Sequence, residues 1–77
     1  MGWTRIGRSA KADIPLDDPS VSRRHAILVH ESGKPIRVLD DRSLNGVILN
    51  GKEVDWGRLT DGDELRIGAH CLFLLES

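Results

Sequence analysis

The sequence predicts an all-β fold, an antiparallel β-sandwich, and two observations lead to this class. Apolar residues come in short bursts, and no window of about 11 residues keeps a helical spacing of apolar positions without a glycine, proline or turn cluster inside it. The bursts recur about every 8–12 residues with turn residues between them, as is typical of β-sandwiches. A binding site is expected in polar loops at one end of such a sandwich.

Four short strands are predicted in the first half of the chain. In order, they are "WTRIG" (3–7), "ADIPLD" (12–17), "HAILVHE" (25–31) and "PIRVLD" (35–40). Ile14 and Leu16 share a face of the second strand, and Pro15 between them restricts it to a sheet edge or an irregular strand. The segment "SGK" (32–34) is a turn between the third and fourth strands.

The second half predicts a hairpin and two further strands. Asn50-Gly51 separates two short apolar arms, and this pair tolerates the positive φ angles of a type I′ turn. Asp61-Gly62 marks the next turn, followed by a strand through Leu65 and Ile67, and "AHCLFLLE" (69–76) forms the last strand.

Three apolar side chains are expected to have structural roles in this sandwich. Cys71 lies in an apolar run and is predicted to be a buried core thiol. Trp3 and Trp56 are predicted to pack on the sheet or to cover a hairpin, and not to serve as ligand platforms.

Composition limits the class of protein. The 77 residues are enough for one domain, predicted to span 1–77, and 39% hydrophobic with 30% charged residues is ordinary for a globular chain. The first 25 residues carry five basic and three acidic groups, and the remainder six basic and nine acidic. This bias is too small for a duplex-binding surface. The sequence has no apolar run of about 18 residues, and its single cysteine fits a cytoplasmic location.

Catalytic and metal chemistry are not expected. Ser22 and His25 lie three residues apart, but no G-x-S-x-G elbow surrounds the serine. The possible soft metal ligands lack a paired chelate spacing such as C-x-x-C; they are His25, His30, His70 and Cys71. With no phosphate-cradling Walker loop and only 4% aromatic residues, we expect no enzyme activity, no cofactor, no nucleic-acid partner and no membrane partner.

Three loops are rich in hydrogen-bond donors. They are "GRSAKA" (7–12), "PSVSRRH" (19–25) and "DDRSLNG" (40–46). The predicted strands between the second and third loops form a hairpin, which returns the chain to the same end of the sandwich. We therefore expect these loops to converge on one site.

At these loops the chain resembles the forkhead-associated (FHA) domain. The resemblance lies in the order and spacing of Gly7-Arg8, Ser22-Arg23-Arg24-His25, Ser43-Leu44-Asn45-Gly46, Asn50-Gly51 and "LTDGDELRIG" (59–68). It extends from about residue 6 to residue 75, and "SLNG" looks like the bacterial branch of the family. It implies an FHA-type β-sandwich that binds phosphothreonine-containing proteins in serine/threonine-kinase signalling.

The resemblance also implies roles for individual residues. Arg8, Ser22 and Arg23 would contact the phosphate or peptide, and Asn45 would hold the peptide backbone. Gly7, His25 and Gly46 would support the site, with His25 tying the loops together. Arg24 is expected to lie on the surface and point away.

Two departures from the family pattern lead to further expectations. Leu44 stands where many members have a hydroxyl residue before Asn-Gly, so Ser43 is expected to supply that hydroxyl. The N-terminal strand is predicted to be short or missing, which would expose a sheet edge and permit a strand-mediated dimer. The alternative function is a degenerate FHA scaffold that binds partners, or oligomerises, without phosphate.

Overall fold

The computed structural model describes residues 2–75, which form nine β-strands and no helix. The strands are β1 (Gly2–Gly7), β2 (Ile14–Pro15), β3 (Ala26–His30), β4 (Ile36–Asp40), β5 (Val47–Leu49), β6 (Lys52–Val54), β7 (Trp56–Leu59), β8 (Glu64–Ile67) and β9 (His70–Phe73). Within these residues there is no helix with the length and apolar character needed to cross a membrane.

Two sheets make up the sandwich. One has the order β2-β1-β3-β4-β7 and the other β6-β5-β8-β9. Every strand pair is antiparallel except β1 with the two-residue strand β2, which run parallel. The predicted antiparallel β-sandwich is confirmed, and Pro15 does lie on an edge strand, where its missing N–H costs no ladder bond.

The core lies between the sheets and draws on alternate residues of the strands. Its buried members are Ile6, Val21, Ala26, Val38, Val47, Leu59, Leu65 and Ile67. Val21 is a loop residue, so the segment before β3 is anchored in the core directly. Leu16 packs against this cluster, whereas Ile14 is 36% exposed.

The two predicted turns of the second half are present. Asn50 and Gly51 have φ angles of 50° and 87°, the positive values that a type I′ hairpin requires. In the turn before β8, Asp63 accepts the Thr60 N–H at 2.8 Å and the Asn50 side-chain amide at 3.1 Å. These hydrogen bonds, the Thr60 one foremost, hold the pKa of Asp63 below its ordinary value.

The predicted burial of Cys71 is wrong. Cys71 is exposed, because burial alternates along β9 and its half-buried positions are His70 and Leu72. The indole side chains of Trp3 and Trp56 are 58% and 59% exposed. Both lie on the outer face of the five-stranded sheet, opposite the core residues, and no second layer covers this face among residues 2–75.

The four-stranded sheet is open along β9, which pairs with β8 alone. β1, the first strand among residues 2–75, is six residues long and pairs with β3 at five positions. Phe73 on this edge strand and Leu75 after it are 60% and 83% exposed. Pairing of β9 with a strand of a second copy remains a prediction.

Strand directions place the three donor-rich loops at one end of the sandwich, called the loop end below. The connections 8–13, 16–25 and 41–46 all lie there, as does the turn between β8 and β9. β1 begins and β9 ends at the opposite end of the sandwich.

Candidate functional site

The first two loops lie side by side at the loop end. The Arg8 N–H donates to the Ser22 carbonyl at 2.9 Å, and the Ser9 N–H donates to the Arg23 carbonyl at 3.3 Å. Gly7 permits this approach, because a Cβ atom there would overlap the Arg23 carbonyl oxygen, a backbone atom that cannot swing aside. The backbone of one loop therefore fixes the backbone of the other.

His25 joins the second loop to the third. It is fully buried; its Nδ1 accepts the Ser22 N–H at 3.1 Å and its Nε2 lies 2.7 Å from the Gly46 carbonyl oxygen. A carbonyl can only accept, so Nε2 carries the proton and Nδ1 is free to accept. His25 thus occupies the position that a supporting residue would need, although its importance for binding stays a prediction.

Ser22 presents its hydroxyl at the centre of the loops. Its Oγ accepts the Leu44 N–H at 2.9 Å, which leaves the hydroxyl proton available for an acceptor outside the protein. The imidazole of His25 accepts a hydrogen bond from the main-chain N–H of Ser22 and not from its hydroxyl. This arrangement differs from a serine nucleophile hydrogen-bonded to its base.

Two predicted contact arginines have donors to spare. Arg8 donates from Nε to the Val21 carbonyl at 3.0 Å, which directs the guanidinium and leaves its terminal nitrogens available. Arg23 is exposed and its guanidinium has no hydrogen bond or ion pair among residues 2–75. Arg24 differs, as expected of a surface residue: its side chain is 72% exposed and pairs with Asp41 at 3.3 Å.

Asn45 is held in place by the second loop. Its Nδ2 donates to the Ser20 carbonyl at 3.0 Å, while its Oδ1 has no partner within residues 2–75. A free amide oxygen suits the backbone N–H of an extended peptide.

Ser20 is a connecting residue that sequence reasoning missed. Its hydroxyl donates to Asp18 at 2.6 Å and accepts the Ala69 N–H of the β8–β9 turn at 2.9 Å. The hydrogen bonds that Asp18 accepts from the hydroxyl and the N–H of Ser20 hold the pKa of Asp18 below its ordinary value. The Nε2 atom of His70, 3.5 Å from the Asp18 carboxylate, contributes in the same direction. The Asp-x-Ser spacing is a signal for such a local turn, but it does not reveal the contact with Ala69.

Ser43 is the one predicted contact residue that does not face the open side of the loops. Its Oγ has no accessible surface and no hydrogen-bond partner, and its N–H donates to Asp40 at 2.8 Å. That bond closes a tight turn that contains Arg42, whose φ angle is 61°. The neighbouring Leu44 side chain is 89% exposed instead. Contact between Ser43 and a phosphate would require the side chain to rotate.

Metal ligation has no support in the described part of the chain. Within residues 2–75, no group of three or more histidine, cysteine, aspartate or glutamate side chains is arranged to hold a metal ion.

Comparisons with known proteins agree with this geometry. The glycogen accumulation regulator GarA of Mycolicibacterium smegmatis is 46% identical over 72 residues, which are 94% of this chain but 45% of the relative's length. A solved structure from work on phosphothreonine-dependent FHA domain interactions superposes with a TM-score of 0.93 and 33% identity, covering 99% of this chain and 78% of that one.

A third similar protein is EmbR of Mycobacterium tuberculosis, solved in complex with a low-affinity phosphopeptide. Its TM-score is 0.89 at 39% identity, covering 95% of this chain and 19% of that chain. The sequence model of the FHA domain matches residues 4–68, most of the chain and all three loops. The chain therefore belongs to the forkhead-associated domain family.

Proposed function

We propose that this chain is a phosphothreonine-binding module that recognises phosphorylated partner proteins in serine/threonine-kinase signalling, without catalysis of its own. The observation that carries the proposal is the Ser22 hydroxyl, whose proton is free to donate because its oxygen already accepts from Leu44. The free guanidinium nitrogens of Arg8 and Arg23 belong to the same pair of adjoining loops.

The chemistry of a phosphate fits these donors. A phosphothreonine carries about −1.5 to −2 charges and three acceptor oxygens. Arginine offers permanently charged forks of donors for such a group. In the third loop, the negative charge of Asp41 is paired with Arg24, which reduces its repulsion of an incoming phosphate.

The donors also set an expected affinity. Charged hydrogen bonds contribute about 1.5–3 kcal/mol each. Three or four of them give about 4.5–12 kcal/mol before the costs of association and ordering, which are at least about 4 kcal/mol. The most favourable net value, about −8 kcal/mol, corresponds to a Kd of order micromolar, which suits reversible signalling.

The similar proteins support the choice of ligand. One of the solved FHA structures comes from a study of phosphothreonine-dependent interactions, and EmbR was solved with a phosphopeptide. GarA is a regulator by name. A cytoplasmic location, where serine/threonine kinases act on such partners, is part of the proposal.

The test is a calorimetric titration with one peptide in four forms: unphosphorylated, phosphoserine, phosphotyrosine and phosphothreonine. We expect micromolar binding of the phosphothreonine form alone, and a loss of tenfold or more in Arg8→Ala and Ser22→Ala. Arg66→Ala is the matched control, because this exposed arginine lies on β8 in the other sheet. Undiminished binding in both site variants would refute the proposal.

A degenerate scaffold is the second candidate, and the position of Ser43 is the observation that favours it. With the Ser43 hydroxyl buried and Leu44 exposed, the third loop presents an apolar side chain where a hydroxyl donor was expected. Equal affinity for the phosphorylated and unphosphorylated peptides would support this candidate. A Leu44→Thr variant that tightens phosphopeptide binding would instead locate the weakness at this one position.

A further inference from the structure

The outer face of the five-stranded sheet is largely apolar. An antiparallel sheet with one side in water ordinarily turns polar side chains outward. Here strand pairing places two rows of four side chains on the outer face: Trp3, Val29, Arg37 and Arg58 in one row, and Arg5, Ile27, Leu39 and Trp56 in the other. The polar members of both rows are arginines, and the remaining five side chains are apolar.

The apolar members form one continuous band across the four strands, called the outer band below. It consists of Trp3, Val29, Ile27, Leu39 and Trp56. The two tryptophans lie at its ends and are 58% and 59% exposed. They are three strand spacings apart, about 14 Å, and two residues apart along a strand, about 7 Å, so the band is about 16 Å long.

A pocket opens within the outer band. It has a volume of about 410 Å³ and is lined by Trp3, Val29 and Leu39 together with Glu31 and Arg37. The last two form an ion pair at 2.9 Å, so their charges compensate each other. An apolar pocket with a paired charge at its side suits a single aromatic or aliphatic anchor from a partner protein.

Arg5 and Arg58 flank the outer band with uncompensated positive charge. Both are exposed, and neither side chain has an ion pair or hydrogen bond with another residue of the described range 2–75. The nearby Glu31 is already shared between Arg37 and Lys34. Two copies of this face packed against each other would bring arginines against arginines, whereas acidic side chains would neutralise them. Charge complementarity therefore favours an acidic partner over a second copy.

The composition of the outer band also favours a protein over a nucleic acid. Binding of single strands relies on aromatic faces on which successive bases stack. The centre of the band is aliphatic instead, with Ile27, Val29 and Leu39, and the two indole side chains are about 16 Å apart. Tryptophan and arginine are the residues most enriched among the dominant contacts of protein interfaces.

We propose that the outer band docks an amphipathic helix of a partner protein, one whose apolar stripe is flanked by glutamate or aspartate side chains. A helix is one of the elements that ordinarily cover the apolar face of a sheet, and about 11 helical residues span 16 Å. One apolar side chain of the helix enters the pocket, and its acidic flanks pair with Arg5 and Arg58. This contact needs no phosphate, so it is additional to the proposed function, and it gives the tryptophans a binding role that the sequence alone did not predict.

Tryptophan fluorescence tests this contact directly, because the two tryptophans of the chain both lie in the outer band and the chain has no tyrosine. The probes are side-chain-stapled helical peptides of about 14 residues without aromatic residues. Each carries leucines at i, i+3, i+4 and i+7 with glutamates beside them, and a matched set has lysine in place of every glutamate. We expect a saturable blue shift of the emission with a glutamate peptide, at a Kd of order 10–100 μM. The lysine peptides should bind about fivefold to tenfold more weakly.

Variants connect the binding to the outer face. Arg58→Glu reverses an exposed flanking charge and is expected to weaken the glutamate peptide about fivefold to tenfold and to strengthen its lysine match. Arg66→Glu, the same change at an exposed position of the other sheet, is the control and should leave both affinities unchanged. Far-ultraviolet circular dichroism verifies that each variant is folded. Binding of a phosphothreonine peptide should be the same in Arg58→Glu as in the wild type.

Five results would overturn the inference. They are no emission shift with any glutamate peptide, equal affinity for the glutamate and lysine sets, amide chemical-shift changes confined to the loop end, tighter binding of a single-stranded oligothymidylate than of the peptides, and dimerisation in sedimentation experiments that Trp3→Ser abolishes. The last two would assign the face to a nucleic acid or to a second copy. Each of the five leaves the proposed function standing, because phosphothreonine binding is measured in a separate titration.

Discussion

Replacing His25 by alanine tests the connection between the loops. The substitution removes two hydrogen bonds, one from the Ser22 N–H at 3.1 Å and one to the Gly46 carbonyl at 2.7 Å, in a fully buried position. Leaving such groups without partners costs about 1–3 kcal/mol each. We expect a loss of about 3 kcal/mol from a domain whose total stability is roughly 4–12 kcal/mol at this length.

The assay is urea unfolding followed by far-ultraviolet circular dichroism. With a slope near 1 kcal/mol/M, a loss of this size lowers the midpoint by about 3 M. His25→Phe fills the space without the hydrogen bonds and should lose nearly as much, whereas His30→Ala, at an exposed position, should change stability by less than about 0.5 kcal/mol. A His25→Phe protein as stable as the wild type would refute the reasoning, because packing alone would then explain the role of the residue.

Three further outcomes are expected. Gly7→Ala should destabilise the domain by about 1–3 kcal/mol and weaken phosphopeptide binding, because the added Cβ would overlap the Arg23 carbonyl. Gly2→Ala is the control, since a Cβ at Gly2 has no neighbour within 4 Å. Equal urea midpoints for the two variants would contradict the expected destabilisation. The lowered pKa of Asp63 means that its contribution to stability is complete above the ordinary value of 3.8 and is lost as the pH falls through the lower folded-state pKa. Unfolding curves of Asp63→Asn should accordingly depend less on pH in the acid range. Phosphopeptide affinity should fall as the pH drops from about 7 to 5, because the second phosphate proton binds near pH 6; a flat titration series would contradict it.

Local rules predicted the turns and strands of this chain well. Asn50-Gly51 forms its hairpin because the two residues need only their own φ angles to do so. The convergence of the three loops also followed from the sequence, because a two-strand return brings the chain back to the same end.

Two side-chain positions depend on packing between distant parts of the chain. Cys71, predicted to be buried, points away from the core because it pairs with the exposed Arg66 while its neighbour Leu72 takes the half-buried position. The inward position of the Ser43 hydroxyl depends on a turn closed by Asp40. The apolar periodicity of a single strand shows neither which face of the sheet is covered nor which residue closes a turn.

The direction of the first and last strands has a practical consequence. Because β1 begins and β9 ends away from the loop end, a fluorescent protein or a surface tether fused at either terminus would leave the candidate site uncovered. A pair of such fusions could report phosphorylation of a tethered substrate, since a flexible linker keeps the substrate near the site at an effective concentration in the millimolar range. The same geometry makes the domain suitable for immobilisation as a capture reagent, with its loops directed toward the solution.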